Sequence, residues 1–334
     1  MSEEKQKVKI GMYWAATCGG CDVAFLDIEE KILDVIGIAD IYFWPVAMDF
    51  KKADVEAMED KWLDVGVFNG AIRNSENLEM AELMRAKCKV LVSFGSCACM
   101  GGIPGLANVA DRKEVFRKSY HDSCSTVNPE STEPQIRAEV PEGTLTLPEI
   151  WDEVKALHQV VDVDAYVPGC PPNTERIVDL VGVVAAFCNE GTLPPKGAVI
   201  ASEKSLCDEC PREKIEDEMP PIVRVHEKEA DPNVCFLSQG LVCMGMATRG
   251  GCGAACISAN MPCRGCYGPL PGVEDQGLAA LNALSTLIGK EGEKDMSDEE
   301  RKALLKGFRD PLGTLYRFGL PVAVMNKVIS EEVE

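Results

Sequence analysis

The sequence predicts an α/β protein in two parts: a parallel sheet covered by helices over residues 1–190, then an irregular cysteine-rich segment over 191–334. Three observations carry this reading. Short apolar or β-branched runs alternate with helical patterns as far as Cys188, the rhythm of a parallel sheet with helices on both faces. Gly191-Thr-Leu-Pro-Pro then interrupts the pattern, and regular periodicity largely ends. The 16 cysteines divide near the same place: eight are scattered as far as Cys188, and eight crowd between Cys207 and Cys266.

The elements follow in order. Val8–Trp14 (VKIGMYW) is a short apolar run and reads as the first strand. Asp22–Ile36 sets Phe25, Ile28, Ile32, Val35 and Ile36 at near-helical spacing and is expected to be one helix. Asp40–Val46 and Trp62–Gly70 read as the second and third strands. Ser75–Lys87 is a helix with Ser75 as N-cap and a lysine in the last turn. Val90–Phe94 is a buried strand stopped by Gly95. Residues 111–150 are polar and proline-punctuated, a long surface excursion, with a helix expected over Leu147–Leu157. Val163–Val167 is a further strand, and Asn173–Cys188 a helix capped by Asn173 or Thr174. The tail Gln276–Lys306 holds two helical patterns, Leu278–Ile288 and one capped by Ser297.

Composition excludes several functions. With 54 acidic and 34 basic residues the formal charge is −20, the opposite of the basic footprint that nucleic-acid binding needs. Aromatic content is 6%, which offers no evident stacking surface for nucleotides. Apolar runs such as Leu180–Cys188 are too short to cross a bilayer. The start, Met1-Ser-Glu-Glu-Lys-Gln-Lys, has no apolar stretch typical of a signal peptide, so a cytoplasmic location is expected. Thiols in that compartment stay reduced, which turns a cysteine-rich pattern toward metal or catalysis rather than disulfides.

Cys18 and Cys21 (TCGGC) follow the first strand, Cys97 (GSC) follows Val90–Phe94, and Cys170 (PGCPP) follows Val163–Val167. These loops all leave the carboxyl ends of expected parallel strands, the edge where open α/β sheets bind ligands. Four thiols from three loops can therefore converge on one point, and the glycine or proline in each loop allows close approach to a bulky group. Taken alone, Cys18 and Cys21 also admit a redox dithiol or half a zinc site. No Walker A or G-x-G-x-x-G motif follows the first strand, and Ala15–Cys21 lacks the Ser/Thr density of a flavin-phosphate loop. Cys88, Cys99, Cys124 and Cys188 are expected to be unliganded, and His121, His158 and His226 show no ligand spacing.

In the second part, Cys207-Asp-Glu-Cys210-Pro is followed by Cys235 and Cys243, then by Cys252, Cys256, Cys263 and Cys266 in the pattern CxxxC-x6-CxxC. Eight thiols make two sets of four, and four thiolates hold one tetrahedral zinc or one iron–sulfur cubane. A segment with so little regular structure needs metal to order it. The neighbours of these cysteines include Met244, Met246, Gly250, Gly251, Gly253, Ala254, Ala255 and Ile257. Such small, apolar residues and the uneven spacing suit a bulky inorganic core better than paired zinc knuckles.

The order TCGGC, GSCACMGGIPG, PGCPP, CDECP and a Gly/Cys-rich block resembles the small subunit of nickel–iron hydrogenases, above all the G subunit of cytoplasmic methyl-viologen-reducing, deazaflavin-non-reducing hydrogenases that sit with heterodisulfide reductase. The stretch from Gly143 to Asn173 looks like that group's, and the resemblance spans roughly residues 7–275. It implies a flavodoxin-like N-terminal domain carrying a proximal 4Fe-4S cluster on Cys18, Cys21, Cys97 and Cys170. It implies two further clusters, for which spacing assigns Cys207, Cys210, Cys235 and Cys243 to the distal one, while Cys252, Cys256, Cys263 and Cys266 fit the medial one. Periplasmic relatives carry a histidine where Cys207 stands and only three medial cysteines; here ligation would be all-cysteine, with Cys256 as the fourth medial ligand.

The nickel–iron centre would belong to a separate large subunit, leaving this chain no hydrogen-splitting residue. Electrons would run through the three clusters to a small iron–sulfur acceptor subunit and heterodisulfide reductase. Asp208 and Glu209, lying between two distal ligands, are expected to disfavour the reduced state of the distal cluster. The other readings are a deazaflavin-reducing hydrogenase or hydrogen sensor on the same fold, a shorter complex I-type subunit lacking the C-terminal cysteine block, and a zinc-ordered structural or regulatory protein.

Overall fold

The computed structural model describes residues 7–214, 219–288 and 297–326. The first part runs β1 (Val8–Trp14), α1 (Gly20–Leu26), α2 (Ile32–Ile38), β2 (Ala39–Phe43), α3 (Lys52–Glu56), β3 (Leu63–Asn69), β4 (Ile72–Asn74), α4 (Ser75–Lys87), β5 (Cys88–Phe94) and α5 (Gly95–Met100). It continues with α6 (Arg112–Phe116), β6 (Arg137–Val140), β7 (Gly143–Thr146), β8 (Ile150–Lys155), β9 (Ala165–Val167), α7 (Thr174–Glu190) and β10 (Ala198–Val199). Beyond β10 the helices are short or peripheral: α8 (Ala255–Ser258), α9 (Gln276–Leu287), α10 (Asp298–Leu305) and α11 (Pro311–Leu315).

Six strands pair in parallel in the order β2-β1-β3-β5-β9-β10. Counted along the chain this is the flavodoxin-like order 2-1-3-4-5 with one strand added, and its switch point lies between β1 and β3. Val65, Val67, Val90, Val92 and Phe94 face one core, with Phe25, Ile28, Val35, Ile177 and Leu180 from α1, α2, the turn between them and α7. Phe68 and Leu91 face the other, with Met80 and Met84 of α4. Both faces are buried, as near-continuous apolar strands require. Gly66 lets β5 pack closely: a Cβ there would lie 2.5 Å from Cys88 Sγ, and Cys88 is a fully buried thiol in that core. The sixth strand, Ala198–Val199, lies past the Gly191 break, so the sheet takes its last edge from the second part of the chain.

Four expectations change. The helix expected over Asp22–Ile36 is two, separated by the turn Glu29–Lys31 with Glu29 at φ 55; the break lets Ile28 and Val35 both reach the core, each 2% exposed. The second strand stops at Phe43, because the chain turns at Trp44, whose carbonyl accepts from the Ala47 and Met48 amides. The cap of α4 is Asn74, which accepts from Asn77 N at 2.8 Å, while Ser75 pairs with Glu149 through both its backbone and its hydroxyl. Leu147–Leu157 is not a helix: its centre is β8, antiparallel to β4. The apolar spacing there is helix-like, but long-range bonds capture the backbone. Asn108 brackets Val154, donating to its carbonyl at 2.9 Å and accepting from its amide at 2.8 Å. The excursion over 111–150 holds α6 and the exposed hairpin β6–β7.

The irregular part is held by polar staples around its own apolar core. Arg212, 4% exposed, donates to Asp231 O, Val234 O and Asn260 Oδ1 at 2.6–2.8 Å and lies 3.8 Å over the Phe236 ring. The chain then returns to the sheet. Pro321 fills the space that Cβ atoms at Gly101 and Gly105 would need, and Gly102 N donates to Phe318 O. α9 begins at Gln276 with Asp275 as cap, and α10 begins just after Ser297, close to the expected tail helices. Among the described residues no helix is long and apolar enough to cross a membrane.

Asn108→Ala would leave the Val154 amide and carbonyl buried without these partners. The expected loss is about 2 kcal/mol in anaerobic chemical denaturation; an unchanged midpoint would show that β8 is held by pairing with β4 alone.

Candidate metal centres

The carboxyl edge of the sheet gathers the first four thiols. Cys18 and Cys21 sit where β1 gives way to α1, Cys97 on α5 directly after β5, and Cys170 after β9. Cys21 and Cys97 are buried, whereas Cys18 and Cys170 are exposed. Burial pushes the Cys97 thiol up to about 11, with Cys170 and Cys18 adding to the rise. Burial raises Cys21 further, with Cys97 and Cys170 again contributing. Each of the four thus lies within electrostatic reach of others in the set. The turn after β5 is built for this. Gly95 stands at φ +81, and a Cβ there would overlap Cys21 Sγ; a Cβ at Gly102 would lie 2.5 Å from Cys97 Sγ. Ser96 N donates to Gly169 O at 2.7 Å, joining the Cys97 and Cys170 loops.

Behind this edge stands a buried carboxylate that the sequence did not reveal. Asp22, 2% exposed, accepts from Trp44 Nε1 at 2.8 Å and Asn69 Nδ2 at 3.0 Å, and its charge also raises Cys21. Nothing in local sequence marks it, since its donors come from β3 and the turn after β2. Trp14, which donates to Thr17 O, Val23 and Leu26 on α1, and Ile103 beyond α5 are large apolar side chains left 43–58% exposed.

The second and third groups lie in the irregular part. Burial, then Cys243, raises Cys207 to about 11, with Cys235 and Cys210 contributing. Cys207 and Cys243 flank Gly245, where a Cβ would lie 3.4 and 3.6 Å from their sulfurs. Burial pushes Cys266 up to about 12, and Cys252 and Cys256 add to it; burial raises Cys263 still more, with Cys243 and Cys266 contributing. The groups adjoin one another in a series. Ser96 Oγ donates to Cys266 O at 2.7 Å, and Cys170 is among the thiols that raise Cys266. Cys263 N donates to Cys243 Sγ at 3.3 Å.

The remaining cysteines stand apart from this series or beside it. Cys99 is buried against Ser93, with Sγ 3.4 Å from its hydroxyl, and Cys124 is exposed. Cys188 falls on α7, but its side chain is outside the described residues. His121 pairs with Glu133 at 2.7 Å and His158 packs edge-on to Tyr166.

The donor sets suit an iron–sulfur core. All twelve are soft thiols; burial, with the charge of neighbouring thiols, opposes ionisation at Cys21, Cys97, Cys207 and Cys266, and a polynuclear cation among them would reverse that balance. Among the described residues no three His, Cys, Asp or Glu groups close tightly enough around one point to hold a single metal ion.

The fold has solved counterparts. The [NiFeSe] hydrogenase from Desulfovibrio vulgaris Hildenborough is similar with a TM-score of 0.53 and 16% identity, covering 80% of this chain and 96% of that chain. The family described as NADH ubiquinone oxidoreductase, 20 Kd subunit, matches residues 18–184, the sheet part that bears the first thiol group. Over nearly the whole length the likeness is more specific. The iron-sulfur G subunit of the F420-non-reducing hydrogenase from Archaeoglobus profundus is 40% identical over 96% of this chain and 98% of its own. The G subunit of the F420-non-reducing hydrogenase from Methanothermobacter thermautotrophicus is 39% identical over 98% and 99%. The chain belongs to the G-subunit family of F420-non-reducing hydrogenases and is a subunit of an oxidoreductase.

Gly95→Ala would place an L side chain in the left-handed region and displace Cys21. The expected outcome is a loss of about 1–3 kcal/mol in unfolding free energy together with loss of bound metal. A variant as stable and as metal-rich as the parent would remove Gly95 from this account.

Proposed function

We propose that this chain conducts electrons, through three 4Fe-4S clusters, from a nickel–iron large subunit to an acceptor subunit. The observation that carries the proposal is the serial arrangement of thiol groups: the sheet-edge group adjoins Cys266 through Ser96, and Cys263 adjoins Cys243. Cys18, Cys21, Cys97 and Cys170 are the proximal ligands in this reading, Cys252, Cys256, Cys263 and Cys266 the medial, and Cys207, Cys210, Cys235 and Cys243 the distal. Each cluster, when bound, supplies a one-electron carrier whose potential depends on nearby charge, hydrogen bonds to sulfur and solvent exposure.

The rest is the work of this chain's own residues. The large subunit covers the exposed apolar side chains Trp14, Val23, Leu26 and Ile103 and, with them, the exposed Cys18 and Cys170. That contact would exclude water from the proximal thiols and bring them next to the site where hydrogen is split into two protons and two electrons. Backbone amides turn onto sulfur, Gly20 N to Cys18 and Gly265 N to Cys263, each at 3.4 Å, and the second favours the thiolate at Cys263. The far group delivers electrons to a small iron–sulfur subunit and, through it, to a heterodisulfide reductase, in a cytoplasmic complex. The names of the relatives, F420-non-reducing, support an acceptor other than a deazaflavin. The domain division at 190/191 belongs to the same reading, the sheet part holding the first group and the irregular part the other two.

Cys97→Ser in the intact hydrogenase tests this. Hydrogen-dependent viologen reduction should fall by at least about 10- to 100-fold, while hydrogen–deuterium exchange, which needs no electron exit, persists. Loss of both activities together, with iron content unchanged, would place a catalytic role in this chain and contradict the proposal.

A further inference from the structure

The tetrapeptide Cys207-Asp208-Glu209-Cys210 sets two carboxylates side by side, yet the fold sends them in different directions. Asp208 is exposed and accepts a bond from Ser205 Oγ at 2.6 Å. Glu209 is half-buried and reaches away from its own loop. Its Oε1 accepts from Gly251 N at 2.5 Å and its Oε2 from Gly253 N at 3.1 Å. These two amides flank Cys252 on either side.

Several features bring Glu209 there. Leu206 N donates to Thr248 O at 2.8 Å and Gly250 N to Lys204 O at 2.9 Å, which lays residues 204–206 alongside 248–250. Gly250 has no side chain to block the approach: a Cβ there would lie 2.6 Å from Glu209 Oε1. Gly251 and Gly253 stand at φ +111 and +63, so the turn that aims both amides at the carboxylate needs glycine on each side of Cys252. The carboxylate is met by neutral amides, which satisfy its oxygens without cancelling its charge.

We propose that Glu209, although placed in sequence between two distal ligands, is the positioning residue of the medial group: it fixes the Cys252 turn against the Cys207–Cys210 loop and lowers the reduction potential of the medial cluster. This rests on the three-cluster reading given above. An uncancelled negative charge beside a centre opposes the arrival of an electron. The same bonds occupy two amides that could otherwise turn toward sulfur, where they would favour reduction. A middle carrier easier to reduce than both neighbours would hold the electron instead of passing it, so a device that depresses its potential has a purpose in a chain of three. The joint effect expected from sequence for Asp208 and Glu209 thereby divides, and only Asp208 is left facing solvent beside the distal group.

The test is an anaerobic redox titration of the intact hydrogenase, followed by electron paramagnetic resonance, with the medial signal assigned as the one altered in Cys256→Ser. In Glu209→Gln the medial ratio of reduced to oxidised cluster at fixed potential should rise about three- to tenfold, tenfold being about 59 mV for one electron. The proximal and distal signals should stay in place, and Asp208→Asn should leave the medial signal unmoved. Loss of about four irons in Glu209→Gln but not in Asp208→Asn would equally support the clamp. An unshifted medial signal at full iron content, a shift confined to the distal signal, or equal iron loss in both variants would overturn it. A parent protein with fewer than three cluster signals would instead overturn the three-cluster reading, and the two failures are thereby told apart.

Discussion

The turn Gly95-Ser96-Cys97 at the end of β5 is the joint on which the molecule depends. Gly95 adopts a backbone conformation that leaves room for Cys21 Sγ, and Ser96 binds the Cys170 loop with its amide and the Cys266 carbonyl with its hydroxyl. Three consecutive residues therefore place a thiol, join two loops of the sheet edge, and tie the irregular part to that edge. The end of the chain closes over the same place, with Pro321 packed on Gly101 and Gly105. The parallel sheet supplies the rigidity: β3 and β5 are paired over their length and covered on both faces, so the loops leaving them start from fixed positions.

Electrostatics shapes the rest. A chain of net charge −20 gathers twelve thiols, among which burial and the charge of neighbouring thiols favour the protonated form at Cys21, Cys207 and Cys266. Glycines keep the space beside the sulfurs open at Gly95, Gly102 and Gly245. A metal-bearing core satisfies both conditions at once, since it neutralises the thiolates and fills the space. Among its described residues the irregular part has no sheet of its own to order it. Arg212 compensates by binding carbonyls from distant segments, and the metal would supply the remaining cross-links.

Much of this was legible in the sequence, for identifiable reasons. The strands β1, β5 and β9 are short apolar runs, and TCGGC, GSC and PGC fall at their carboxyl ends, so the expectation of a first thiol group rested on topology. In the fold Cys243, Cys235 and Cys210 act on Cys207, and Cys252 and Cys256 act on Cys266, while Cys243 also acts on Cys263 across the two sets divided by spacing. What escaped depends on contacts between residues far apart in the chain. Leu147–Leu157 carries helical spacing, but Asn108 and β4 claim its backbone. The break after Leu26 has no glycine or proline to announce it. Asp22 is held by Trp44 and Asn69, and Glu209 acts on amides more than forty residues away rather than on its neighbours in CDEC.

The central claim is that three sets of four thiols hold three four-iron clusters. Elemental and acid-labile sulfide analysis of this subunit, purified anaerobically, addresses it most directly. The account predicts about twelve irons and twelve sulfides per chain with no zinc. About four or eight irons, or zinc in stoichiometric amount, would contradict it.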